Sequence, residues 1–142
     1  MKITDIKSHV LQYPLEKELG YSQMYFDRRT AHIVEVLTDE GIRGWGEAYG
    51  GGQVAFANKA IIERVIRPMI VGEDPLDREK IWHRVYNYLR DHGQKGMPIQ
   101  ALSGVDIALW DITGRYLNQP LYKLLGGAFR QSIPVYGYGM ML

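Results

Sequence analysis

The stretch Ala101-Leu102-Ser103-Gly104-Val105-Asp106-Ile107-Ala108-Leu109-Trp110-Asp111-Ile112-Thr113-Gly114-Arg115 reads as the middle of one long helix. At about 100° per residue, Val105, Leu109, Ile112 and Tyr116 form a bulky apolar stripe. A stripe of small and polar residues, Ala101, Gly104, Ala108, Asp111 and Arg115, lies within about 80° of it. Ile107 and Trp110 project from the remaining sides, so the helix is apolar nearly all round. Such a helix is buried on more than one side, and the small stripe lets another element approach closely. The expected partner is something outside this chain. The spacing predicts a helix from about Pro98 to Leu117 and a short one from Leu121 to Leu125, ended by Gly126-Gly127.

Upstream of that helix the chain is also helical. Val54 to Ile66 reads as a helix stopped by Pro68. Asp74-Pro75 is placed to start the next, with Asp74 as N-cap and Pro75 at the first helical position, where its missing donor costs nothing. Ile81, Val85 and Leu89 recur every four residues and Gly93 follows as a C-cap. The first half reads β. Strands are expected near 2–13, 29–38 and 42–48, with Asp39-Glu40-Gly41 closing a short hairpin. The fold class is therefore α+β: a three-stranded antiparallel meander followed by a helical bundle. Ser132 to Gly139 looks like the start of a further strand, and the chain then stops at Met140-Met141-Leu142 inside an apolar run. An unpaired hydrophobic strand edge is a liability, so a longer protein is expected, with a domain over 1–131 and the start of another over 132–142.

Composition excludes several classes. At 142 residues the chain is too short for a closed (β/α)8 barrel, which needs about 200 residues or more. A net charge of +1 leaves no basic stripe for nucleic acid, and no apolar run is long enough for a membrane span. Zero cysteines exclude disulfides, thiolate zinc sites and a cysteine nucleophile. With no secretory signal at the N-terminus, a cytoplasmic location is expected. Conventional motifs are missing. Gly44-Trp45-Gly46-Glu47-Ala48-Tyr49 fails the dinucleotide pattern, and Gly50-Gly51-Gly52 lacks the Lys-Ser/Thr of a phosphate loop. His9, His32, His83 and His92 form no i, i+4 pair that could clip a metal and read as surface or packing residues.

Two loops carry the site reading. Pro14 to Asp27 is long for a hairpin connection and too apolar for a solvated tip, with Leu19, Tyr21, Met24, Tyr25 and Phe26. It either folds back on its own sheet or forms a lid. Glu47 to Gln53, with three glycines and Tyr49, is either a tight strand-to-helix turn or a segment that closes on substrate. The candidate substrate-binding residues are Tyr21, Met24, Tyr25 and Tyr49. Arg28 or Arg29 could clamp a carboxylate, although pairing of an arginine with Asp27 or Glu47 is the expected structural alternative. Asp111 and Arg115, at i, i+4, read as a structural ion pair.

Residues 101–115, continuing to Pro120-Leu121-Tyr122-Lys123-Leu124-Leu125-Gly126-Gly127, resemble the signature of the mandelate racemase/muconate lactonizing enzyme family of the enolase superfamily. Gly44-Trp45-Gly46-Glu47, and Asp74-Pro75 followed by Ile81-Trp82, are further points of resemblance. It implies an enolase-like N-terminal capping domain over 1–131 and, from 132, the first strand of a (β/α)7β barrel. It further implies that the barrel carries a Lys-x-Lys-type base and three acidic Mg2+ ligands, so no catalytic or metal-binding residue is assigned in this chain. The Mg2+ would stabilise the enediolate formed when a proton α to a carboxylate is removed. By position, the family's two substrate-shaping loops match Leu15–Arg28 and Glu47–Gln53, which favours the lid readings. The expected partners are a small-molecule carboxylate substrate, the chain's own C-terminal barrel and further copies in a homo-oligomer. Phe26-Asp27-Arg28-Arg29 and Asn87 to Gln94 look more like members acting on sugar acids or their lactones. The alternative is a stand-alone, non-catalytic interaction domain. Reading the coding sequence beyond Leu142 for Lys-x-Lys separates the two.

Overall fold

The computed structural model describes residues 1–137. Three strands form one antiparallel sheet in the order β1-β2-β3: β1 is Ile3–Tyr21, β2 Met24–Thr38 and β3 Arg43–Glu47. The β2–β3 hairpin closes as the sequence predicts, with Gly41 in the left-handed region at φ 79°. Helices follow: α1 (Val54–Ile61), α2 (Arg67–Ile70), α3 (Arg78–Leu89), α4 (Met97–Tyr116) and α5 (Leu121–Leu124). Ile3, Ile6, Val34 and Val36 of the sheet face the helices, Ile3 and Ile6 sharing that face because the β1–β2 register shifts between Ile3 and Asp5. They meet Ile62, Ile66 and Ile70, the α3 stripe Ile81, Val85 and Leu89, and the α4 residues Leu102, Val105, Leu109 and Ile112 in one core.

Four expectations need correction. First, Pro68 does not stop the helix. A single π-type turn over Ile62–Ile66 joins α1 to α2, and Pro68 sits in the first turn of α2, where a missing N–H is tolerated. Second, Asp74 does not begin α3. Its carboxylate accepts from the Leu76 N–H at 2.9 Å and its carbonyl from the Asp77 N–H at 3.1 Å, closing a turn. The helix starts only at Arg78, after Asp77.

Third, the small stripe of α4 faces this chain's own β3. A Cβ on Gly46 would lie 2.1 Å from the Gly104 carbonyl oxygen, and one on Gly44 2.1 Å from that of Ala108. Backbone rests almost directly on backbone. Asp111, next along the stripe, accepts the Trp45 N–H at 3.0 Å and pairs with Arg115 at 2.9 Å, so it caps a sheet edge as well as forming the expected ion pair. Tyr116, read as part of the bulky buried stripe, is exposed, because α4 outruns the sheet there. Fourth, Pro14–Asp27 is no loop. Both strands continue into it as a hairpin arm, described below. Ser132–Gly137 run as exposed chain without regular structure, and the rest of the strand expected to Gly139 lies outside the described residues.

Candidate functional site

The arm begins where β3 ends. Glu47 pairs with Ile33, and the Ala48 N–H donates to the His32 carbonyl at 2.9 Å. Eight residues of β2, Met24 to Ala31, lie beyond the Ala48–His32 bond and have only β1 as a strand neighbour. At roughly 3.3 Å per residue that is up to about 26 Å of two-stranded ribbon. Pairing runs regularly to Pro14 opposite Arg28, breaks across residues 15–18, and resumes with Leu19 opposite Phe26, Gly20 opposite Tyr25 and Tyr21 opposite Met24. Ser22 turns the chain with φ 46°. The irregularity follows from Pro14, which has no N–H for a ladder, and from the charged run Glu16-Lys17-Glu18, which has no apolar alternation to set a register.

The structure brings three of the four candidate substrate-binding residues together at the tip. Tyr25 lays its ring across Gly20, where a Cβ would come within 2.4 Å of Cδ1. The Tyr21 hydroxyl donates to Met24 Sδ at 3.5 Å across the turn. All three stand out from the core, with 62% of Tyr21, 59% of Met24 and 70% of Tyr25 exposed. Tyr49, 75% exposed, is not among them. It sits at the base of the arm, in the segment that leaves the end of β3. Arm and glycine loop therefore emerge from the same end of the sheet.

Charges on the arm are internally paired. Arg28 donates twice to the Asp27 carboxylate, both bonds 2.8 Å, which holds the Asp27 carboxyl below its usual range and pushes the Arg28 guanidinium up. Of the two pairings expected for an arginine here, the one with Asp27 forms. Arg29 lies over the Phe26 ring, 5.1 Å from its centre. Beneath the base of the arm is a small polar cluster. Buried His32 meets the Ser8 hydroxyl at 3.0 Å, and Lys59 of α1 donates to the Ser8 carbonyl at 2.9 Å. Burial, and then the nearby Lys59 charge, lower the His32 pKa, while Glu63 opposes.

Sequence reading missed Asn58 and Gln100. Asn58 is fully buried and donates to the Tyr49 carbonyl at 2.6 Å and to Gln100 Oε1 at 3.1 Å. The signal was present: Ala55, Asn58, Ile62 and Ile66 follow helical spacing along the buried face of this segment, so an amide occupies a core position. No group of three His, Asp or Glu side chains able to hold a metal forms among the described residues.

Comparison with known proteins places this architecture. The profile of the family described as "Mandelate racemase / muconate lactonizing enzyme, N-terminal domain" matches residues 22–126. A D-galactarolactone cycloisomerase of Agrobacterium fabrum is 42% identical over 139 residues, covering 98% of this chain and 36% of the relative. A D-xylonate dehydratase of Haloferax volcanii is 42% identical over 105 residues, covering 73% and 24%. The crystal structure of a member of the enolase superfamily from Polaromonas sp. JS666 superposes with a TM-score of 0.88 at 40% identity, covering 99% of this chain and 37% of that one. The chain thus spans about a third or less of the length of these relatives. The protein therefore belongs to the mandelate racemase/muconate lactonizing enzyme family.

Proposed function

We propose that this chain is the capping domain of a Mg2+-dependent enzyme that removes the proton α to the carboxylate of a sugar acid or its lactone, as racemase, cycloisomerase or dehydratase. One observation carries the reading: the arm tip presents Tyr21, Met24 and Tyr25 to solvent, on the end of the sheet from which the Tyr49 segment also leaves. Side chains of that size, held on a hydrogen-bonded ribbon and lacking core contacts, are suited to closing over a ligand supplied from elsewhere. The named relatives act on a galactarolactone and a xylonate, so a polyhydroxylated acid is the substrate class, and tyrosine hydroxyls suit its alcohol groups.

Among the described residues no three His, Asp or Glu side chains gather as a magnesium site would need. The metal and the base belong to the barrel, and no chemical step is routed through the cap. Its contribution is to exclude water and orient the substrate. Phe129 and Val135, 92% and 90% exposed, fit burial against that barrel. A cytoplasmic homo-oligomer is the expected form of the whole enzyme.

The test is Tyr25→Ala in the enzyme that carries this chain. A lid residue should lose about tenfold or more in kcat/KM while the denaturant midpoint hardly moves. Stability falling by about 3 kcal/mol with kinetics intact in the folded fraction would reverse the assignment.

A further inference from the structure

We propose that Asn58 is the positioning residue of the Tyr49 loop, clamping it to α4 through Gln100. This deepens the capping reading and rests on it for its catalytic consequence. The Tyr49 carbonyl can only accept, so its 2.6 Å contact fixes which end of the Asn58 amide faces it. The second hydrogen of that NH2 reaches Gln100 Oε1 at 3.1 Å, forty-two residues away in sequence. One fully buried side chain therefore bridges the loop, α1 and α4. Gly50 lets the loop lie this close: a Cβ there would meet Asn58 Nδ2 at 3.1 Å and the Ala55 Cα at 3.2 Å. Beyond it, a Cβ on Gly51 or Gly52 would meet nothing within 4 Å. The loop is pinned at its root and open at its crest.

A buried amide is an expensive way to fill a core position. Asn58 Oδ1 has no hydrogen-bond partner among the described residues, and leaving a buried acceptor unpaired opposes folding. A leucine of similar size would avoid that penalty, but it would leave the Tyr49 carbonyl without a donor. The amide is thus explained by what it holds. The loop ends have their own bonds, Ala48 N–H to the His32 carbonyl at 2.9 Å and Val54 N–H to the Gly51 carbonyl at 3.2 Å. Between them, the Asn58 contact sets the height at which Tyr49 stands beside the arm.

The experiment compares Asn58→Leu and Gln100→Met with the parent, in the enzyme that carries this chain. It uses hydrogen exchange across residues 48–54, and kcat and KM alone and in a Tyr49→Ala background. Exchange in 48–54 should quicken about tenfold in Asn58→Leu, while exchange in β2 is unchanged. Asn58→Leu should lower kcat/KM by about tenfold alone but only slightly in the Tyr49→Ala background, because the loss passes through Tyr49. Gln100→Met, which keeps the shape and removes the second acceptor together with the Gln100 NH2, should move both readouts the same way to a smaller extent. It also serves if Asn58→Leu does not fold. Unchanged exchange across 48–54 in a folded variant overturns the clamp. Faster exchange with unaltered kcat/KM supports the clamp and instead removes Tyr49 from the substrate pocket.

Discussion

Gly46 shows how little room one residue can leave. Its Cα faces the Gly104 carbonyl across the β3–α4 contact, and no rotamer relieves a Cβ placed 2.1 Å from that oxygen and 2.8 Å from the Ala108 nitrogen. Gly46→Ala must push α4 off the sheet and should cost about 3 kcal/mol or more, measured as a lowered denaturant midpoint with little change in slope. Gly51→Ala, in open space without a positive φ, should be nearly neutral. His32 supplies the pH dependence at this scale. Its pKa is lowered in the folded chain, first by burial and then by Lys59, so the unfolded chain is the better proton binder. The stability this histidine contributes is whole above about pH 6.5 and is lost as pH falls below that value, toward the lower folded-state pKa. An NMR titration of the His32 ring should give a midpoint below 6.5; a midpoint at or above it would contradict the buried, neutral state.

At the scale of elements, the arm and the rest of the sheet obey different rules. Below Ile33 and Glu47, β2 is flanked on both sides and covered by helices. Beyond them, two strands stand with little apolar cover, and such a ribbon adds little to stability by itself. Joining Pro14 to Arg28, which face each other in the ladder, through an Asn-Gly turn removes the tip without disturbing the core register. The shortened chain should keep its denaturant midpoint to within about 1 kcal/mol of stability. A large loss would mean that the tip packs on the core after all. The break between Pro14 and Leu19 is where the sequence reading stopped short. Period-2 alternation fails there, and only the cross-strand bonds at Leu19–Phe26 to Tyr21–Met24 reveal that the strands resume.

At the scale of the whole molecule, the base of the arm is polar inside, where Ser8, His32 and Asn58 are buried, and its tip is aromatic outside. Acidic groups are dispersed. Glu73 is engaged by Lys80 and Arg84, which hold its carboxyl below the usual range, and Glu35 lies between His9 and Arg43. Neither site gathers the three oxygen donors that a hard cation wants. Isothermal calorimetry of Mg2+ into this chain should give no saturable one-to-one heat, and a tight stoichiometric site would place the metal in the cap.

What the sequence by itself determined is what a few neighbouring residues can encode. The 3.6 period of residues 101–112, the recurrence of Ile81, Val85 and Leu89, the β-branched run before Thr38 and the left-handed Gly41 each fix an element locally, and the structure keeps all of them. The signature around Gly104 to Arg115 carries the family for the same reason, because its spacing is contained in one helix. Only the tertiary structure decided which surface the small stripe meets, how far the first hairpin extends, that a helix runs through Pro68, and that Asn58 reaches both Tyr49 and Gln100. Each of these depends on groups distant along the chain whose approach is set by packing, and a pattern of polar and apolar residues records that a face is buried without recording what it is buried against.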